Sequence, residues 1–153
     1  MKSFFKISIV FVFLMILLFF IFFIDEGIVK EDVSYAASSS SASDLQLMAR
    51  AINGEARGEP YEGQVAVGAV ILNRVKSSQF PNTIAGVFTA VADGQINAPI
   101  DENSTVYKAA QDAMNGWDPT GGCIYYFNPA TATNKWIWSR PVVKTMGKHR
   151  FCK

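Results

Sequence analysis

Apolar positions are distributed unevenly along the chain. Residues 7–24 are apolar throughout except for Ser8. A run of about 18 such residues just reaches bilayer-spanning length and exceeds the ~7–15 of a usual signal-peptide core. Lys2 and Lys6 precede the run, and Asp25 and Glu26 follow it. The positive-inside bias therefore predicts a cytoplasmic N-terminus and an exported, extracytoplasmic remainder. Ser34, Tyr35 and Ala36 read as a small-x-small cleavage site, which leaves two readings of residues 1–36 open: a signal peptide that is removed, or a signal anchor held in the membrane through residues 7–24. Residues 37–43 are mostly serine and predict a flexible linker. The folded unit is expected over residues 44–153, enough for one domain with its own core and too short for two.

Within that unit the spacing of apolar residues predicts helices first and strand-like elements last. Asp44 is placed to cap a helix on which Leu45, Met48 and Ile52 recur at helical intervals, ending near Gly58. Pro60 suits the start of a second helix, where Val65, Ala69, Leu72 and Val75 mark one stripe and Val67, Val70 and Ile71 widen it, so that it should be buried on most sides. Phe80, Pro81 and Asn82 break the pattern, and the segment to Pro99, with Gly86 and Gly94, predicts irregular loops with little regular structure. A third helix is expected from Asn103 or Ser104 to Met114, with Val106, Ala109, Ala110 and Ala113 inward and Asn115-Gly116 as its stop. Cys123 to Phe127 predicts a strand, and Trp136-Ile137-Trp138 a second one that pairs with it or flanks a loop. The fold class is helix-rich α+β.

Charge narrows the partners only a little. From Ala37 onward eleven Lys and Arg face nine Asp and Glu, a balance too mild for a nucleic-acid binder. The last nineteen residues hold six Lys and Arg and no acid, which suits either an anionic polymer or a merely solvated basic end. Cys123 and Cys152 are the only cysteines; outside the cell they could pair, or remain buried thiols. One histidine and two cysteines do not furnish a four-ligand zinc site, so neither a metal nor another cofactor is expected.

Glu55 is the first candidate for chemistry. It lies three residues after Ile52 and seven after Met48, and so continues the apolar stripe. A carboxyl group on the core-facing side of a helix is desolvated, stays protonated more readily, and can donate its proton to a leaving glycosidic oxygen. The competing reading is a structural Glu paired with Arg50 or Arg57. Glu59 and Glu62 follow closely, and either could supply a second carboxylate; Glu62 already has a structural reason in a first helical turn, which leaves Glu59 as the candidate base. Trp117, Tyr125, Tyr126, Phe127, Trp136 and Trp138 crowd into 22 residues, and sugar rings stack on such faces. Gln95, Asn97 and Asn128 add groups that orient hydroxyl and acetamido substituents. His149 with Cys123 or Cys152 leaves a Cys-His peptidase open as an alternative.

The segment from Ala51 to Val75, with Gly-Glu-Ala-Arg-Gly-Glu-Pro at Gly54 to Pro60, resembles the signature of the spore cortex-lytic (SleB/CwlJ-like) cell wall hydrolases. The resemblance continues through Phe88 to Ile96, Tyr125 to Pro129, Lys135 to Trp138 and Gly147 to Cys152, and so covers nearly all of the expected domain. It implies a lysozyme-like, transglycosylase-related fold in which Glu55 cleaves the muramic acid to glucosamine bond of peptidoglycan. The muramyl C6 hydroxyl then replaces water, and one carboxyl group serves as acid and then base. Gln95, Tyr126, Asn128, Trp136 and Glu59 are the residues expected to contact substrate, with cortex or vegetative wall as the polymer and an accessory regulator left unidentified. Members active in germination carry a separate wall-binding domain, and this chain has a membrane segment and a serine linker where that domain would stand. A wall-binding protein without activity is the remaining alternative, against which an intact Glu55 argues.

Overall fold

The computed structural model describes residues 41, 43–91 and 99–153. The 7–24 segment, most of the 37–43 linker, Gln95 and Asn97 lie outside the described residues, and among the described residues no helix is long and apolar enough to cross a membrane.

The compact unit formed by residues 42–153 is built around one buried helix. Helix α1 covers residues 43–56; Ser43 and Asp44 are already helical, so Asp44 lies inside the helix instead of capping it. Met48, Ala49, Ile52 and Ala56 form its buried side, and the Glu59 N–H closes the end on the Ala56 carbonyl. Helix α2, Tyr61–Lys76, follows Pro60 at the N-cap, and its residues 63–71 are all buried. A helix that is apolar around its whole girth has to be enclosed, and this one is the core of the domain. Gly68 shows how closely its neighbours approach: a Cβ there would stand 2.9 Å from the Ala113 Cβ and 3.1 Å from the Ile52 Cδ1.

Helix α3, Ile84–Val91, corrects the expectation of irregular loops between Phe80 and Pro99. The Thr83 hydroxyl accepts the Gly86 N–H, the Thr83 carbonyl accepts the Val87 N–H, and Ile84 and Val87 are buried in the core. A side-chain cap and two apolar residues one turn apart outweigh the glycine. Helix α4, Thr105–Met114, starts at Ser104, whose hydroxyl accepts the Tyr107 N–H, and buries Val106, Ala109, Ala110 and Ala113. It stops at Gly116, whose φ of 102° lies in the left-handed region.

The C-terminal third forms an antiparallel three-stranded sheet in the order β1-β3-β2, from β1, Tyr125–Phe127, β2, Val142–Met146, and β3, His149–Cys152. The expected second strand at Trp136-Ile137-Trp138 is instead a one-turn helix, α5, Lys135–Trp138, where the Asn134 side chain accepts the Trp136 N–H. That cap satisfies a helical donor and gives the alternating tryptophans no partner strand to pair with. The real partners of β1 lie in the basic end. Tyr126 pairs with Phe151 in β3, and Met146 pairs with His149 across the two-residue turn Gly147-Lys148.

Candidate active site

The last turn of α1, helix α2 and strand β1 bring three unlike side chains together. Glu55 occupies the last turn of α1 and is exposed, which corrects the expectation that it faces the core. Ile52 and Ala56 take the buried positions, and the ten-residue step from Leu45 carries Glu55 off the stripe. Neither Arg50 nor Arg57 pairs with it: among the described residues the ion pairs are Lys144 with Glu62 at 2.7 Å and His149 with Glu59 at 3.7 Å. Its charge acts instead on the hydroxyl of Tyr126. Burial first, and then the Glu55 charge, push the Tyr126 hydroxyl above its ordinary value. It therefore stays protonated.

Arg74 supports this pair from below. It continues the row Val67, Val70, Ile71 along α2 and is 9% exposed. Its Nε donates to the Ile124 carbonyl at 2.8 Å, and its guanidinium stands 5.7 Å from the Tyr126 ring centre and 5.2 Å from that of Phe80. Burial pulls the guanidinium below its ordinary value, while Tyr126, Tyr125 and Glu55 oppose that shift. A buried arginine facing two tyrosines and a carboxylate keeps its charge.

Glu59 stands at one side of the cluster. Its side chain is 7% exposed, Oε2 accepts the Lys148 N–H at 2.8 Å, and Oε1 lies 3.7 Å from His149 Nδ1, too long for a hydrogen bond. His149 in turn meets the Tyr126 ring edge-on at 5.4 Å. Gly147 has φ of 56°, and a Cβ there would run into Glu59 Oε2. Glu59 thus clasps the β2–β3 turn to the end of α1. Glu62 is exposed and paired with Lys144.

Of the other expected contacts, Trp136 stands beside Tyr125, on the face of β1 away from Tyr126. Asn128 accepts the Ala130 N–H through Oδ1 and organises the turn after β1. Trp136 is 48% exposed and packs edge-on against Tyr125 at 5.0 Å. Tyr125 and Tyr126 are neighbours in β1 and point to opposite faces. Arg74 was missed by sequence reasoning, although a single cation in the apolar row of α2 was a readable signal. His149 was considered only as the partner of a thiol.

The cysteines do not join it. Both are free and buried, and Cys123 Sγ–H donates to the Thr120 carbonyl at 3.3 Å. Cys152 lies on the face of β3 opposite to His149 by strand alternation. Burial foremost pushes both thiols up, away from the thiolate form that a nucleophile needs. Among the described residues no group of three His, Cys, Asp or Glu is arranged to hold a metal ion.

A sequence model of the family described as Cell Wall Hydrolase matches residues 58–152. The chain belongs to that family. It is 64% identical over 119 residues to the spore cortex-lytic enzyme of Bacillus cereus, covering 74% of this chain and 45% of that protein. To the enzyme of the same name from Bacillus subtilis it is 58% identical, covering 74% and 38%. The chain therefore spans less than half the length of these curated relatives. Its helix-rich α+β, lysozyme-like domain matches the catalytic domain of the germination-specific lytic transglycosylase SleB from Bacillus anthracis, with a TM-score of 0.66 and 63% identity over 72% of this chain and 93% of that one. The Bacillus cereus SleB catalytic domain matches with the same TM-score and 64% identity, over 72% of this chain and 89% of that one. The family match begins three residues after Glu55, at the turn that Glu59 and Pro60 build.

Proposed function

We propose that this family member cleaves the glycan strands of peptidoglycan at the muramic acid to glucosamine bond, as a lytic transglycosylase, with Glu55 as acid and then base. The observation that carries the reading is the arrangement at the end of α1: an accessible carboxyl group whose charge acts on the Tyr126 hydroxyl, with the buried Arg74 against the Tyr126 ring. A glycan strand laid across this carboxyl group excludes water from it, so that the proton is exchanged with the sugar oxygens. Glu55 gives its proton to the glycosidic oxygen as the bond to muramyl C1 breaks. The resulting carboxylate then takes the proton of the C6 hydroxyl as that oxygen bonds to C1, closing a 1,6-anhydro ring and restoring the acid. Arg74 favours the intermediate charged state of Glu55.

In this reading Asn128, whose Oδ1 is occupied by Ala130, offers its amide N–H groups to an acetamido carbonyl. Gln95 extends the contacts to sugar, and Glu59 acts by holding the turn beside Tyr126. The polymer is spore cortex or vegetative wall reached from outside the membrane, with residues 1–36 as the export signal or anchor. An accessory regulator is left to experiment. The test is mass spectrometry of purified cortex and vegetative peptidoglycan digested with the wild-type chain. New 1,6-anhydro-muramyl ends are expected. Reducing ends would replace the C6 hydroxyl by water, and peptide cuts or no products would overturn the reading.

A further inference from the structure

Strand β1 divides the aromatic residues into two sets. Tyr126 shares its face with His149 and Phe151 and turns toward Glu55. Tyr125 and Phe127 turn the other way, and there α5 sets a tryptophan against each: Trp136 on Tyr125 and Trp138 on Phe127, both pairs edge-on at 5.0 Å. The two indoles are nevertheless 48% and 46% exposed. Each carries an arginine. The Arg140 guanidinium lies 5.1 Å from the Trp136 ring centre and 5.2 Å from that of Tyr125, and the Arg150 guanidinium lies 5.6 Å from that of Trp138. Among the described residues neither arginine pairs with a carboxylate, and Arg140 Nε is buried with no hydrogen-bond partner. The surface is also fixed in place, because Trp138 Nε1 donates to the Ala132 carbonyl at 3.2 Å and Asn134 caps the turn.

One half-exposed tryptophan needs no explanation. Two in a fixed pair, flanked by cations that lack anions, form a surface that supplies ring faces and positive charge together. From Pro119 to Lys153 the chain has six Lys and Arg and no acid, and among the described residues only Lys144 of these has an acidic partner. The complementary ligand has apolar sugar faces at regular intervals and carboxylates beside them.

We propose that Trp136, Trp138, Arg140 and Arg150 form a second glycan-binding surface, on the face of β1 opposite to Glu55, which takes an acidic N-acetylhexosamine strand of the wall. This rests on the functional reading above and adds to it a place where uncut polymer is held. The chain would then stay on an insoluble substrate between cuts. Trp136, expected as a contact at the cleavage site, belongs to this outer surface.

The test uses the full chain in mild detergent with the Glu55→Gln change, sedimented with insoluble peptidoglycan, beside a digestion by the wild-type chain. Adding Trp138→Ala is expected to raise the apparent Kd about tenfold. Trp138→Phe should keep most of the affinity, and Arg150→Gln should weaken binding chiefly at low salt. The Phe and Gln variants keep the test meaningful should Trp138→Ala unfold. Cleavage by the wild type together with unaltered binding by all three variants would overturn the surface and leave the functional reading standing. Absence of both cleavage and binding in the unmodified surface would overturn both. Loss of binding to anionic phospholipid vesicles, with binding to the wall intact, would make it a membrane-facing patch and overturn the proposal.

Discussion

Arg74→Met removes a charge from beneath the Glu55–Tyr126 pair while keeping an unbranched side chain of similar reach. In the wild type the arginine meets the Ile124 carbonyl at 2.8 Å and two aromatic rings at 5.2 and 5.7 Å. Leaving that carbonyl without its donor costs about 1–3 kcal/mol, and losing two partly desolvated cation–π contacts costs roughly 0.5–2 kcal/mol each. Against this, methionine avoids the desolvation of a buried guanidinium, an effective penalty of several kcal/mol that offsets most of the loss. The net expectation is a destabilisation of about 1–2 kcal/mol. For a domain of this size that lowers the melting temperature by roughly 4–8 °C. Turnover should fall further than stability explains, by about tenfold or more at temperatures where the variant is fully folded, because Glu55 loses its facing positive charge. Arg74→Lys should not restore turnover, since a compact ammonium cannot span the carbonyl and both rings. Calorimetry and release of soluble muropeptides measure the two effects. Full turnover in a destabilised Arg74→Met would reduce the residue to a structural role, and an unchanged protein would refute the reasoning.

Other substitutions probe the frame around the site. Gly147→Ala places a Cβ against Glu59 Oε2 at a φ of 56°; with left-handed strain and the Lys148 N–H bond both at stake it should cost about 2–4 kcal/mol by chemical denaturation. Gly68→Ala gains about 1 kcal/mol in helix propensity but forces a contact of 2.9 Å on Ala113. Overpacking of about 1–3 kcal/mol should win, and Ala113→Gly in the same chain should recover part of it. Burial opposes ionisation of Asp118, yet donors from Thr120, Asn73 and Gly122 together hold its carboxyl below the ordinary 3.8. Its contribution is therefore fully present above about pH 4 and is lost as pH falls through the depressed folded value. Asp118→Asn should melt lower than wild type at pH 7, with the gap closing in acid.

Periodicity was a sound guide where one element buries a whole face. The inward residues of α4 and the enclosed α2 could be read from spacing because burial alone decides them. It failed where local hydrogen bonds decide. The Thr83 cap makes α3 a helix despite Gly86, and Asn134 turns the alternating Trp136 and Trp138 into a helical turn. Strands β2 and β3 were hidden in a stretch read for its charge, its histidine and cysteine and its family motif, since Val142 and Val143 are exposed on an edge strand and the period-2 signal is weak there. For Glu55 the same arithmetic that followed the stripe over ten residues mislaid its side chain, because small departures accumulate over three turns. The residue type and its place at the end of α1 were legible. Its support by Tyr126 and Arg74 was not, because those contacts join positions far apart in the chain.

The central claim is that Glu55 performs the proton transfers, and the rate of muropeptide release by the Glu55→Gln chain tests it most directly. The side chain is exposed, so the variant should melt as the wild type does. Glutamine cannot donate a proton to the leaving oxygen, and release should fall by about 10²–10⁴. Release within a few-fold of wild type from a folded Glu55→Gln protein would contradict the account and move the acid to another residue.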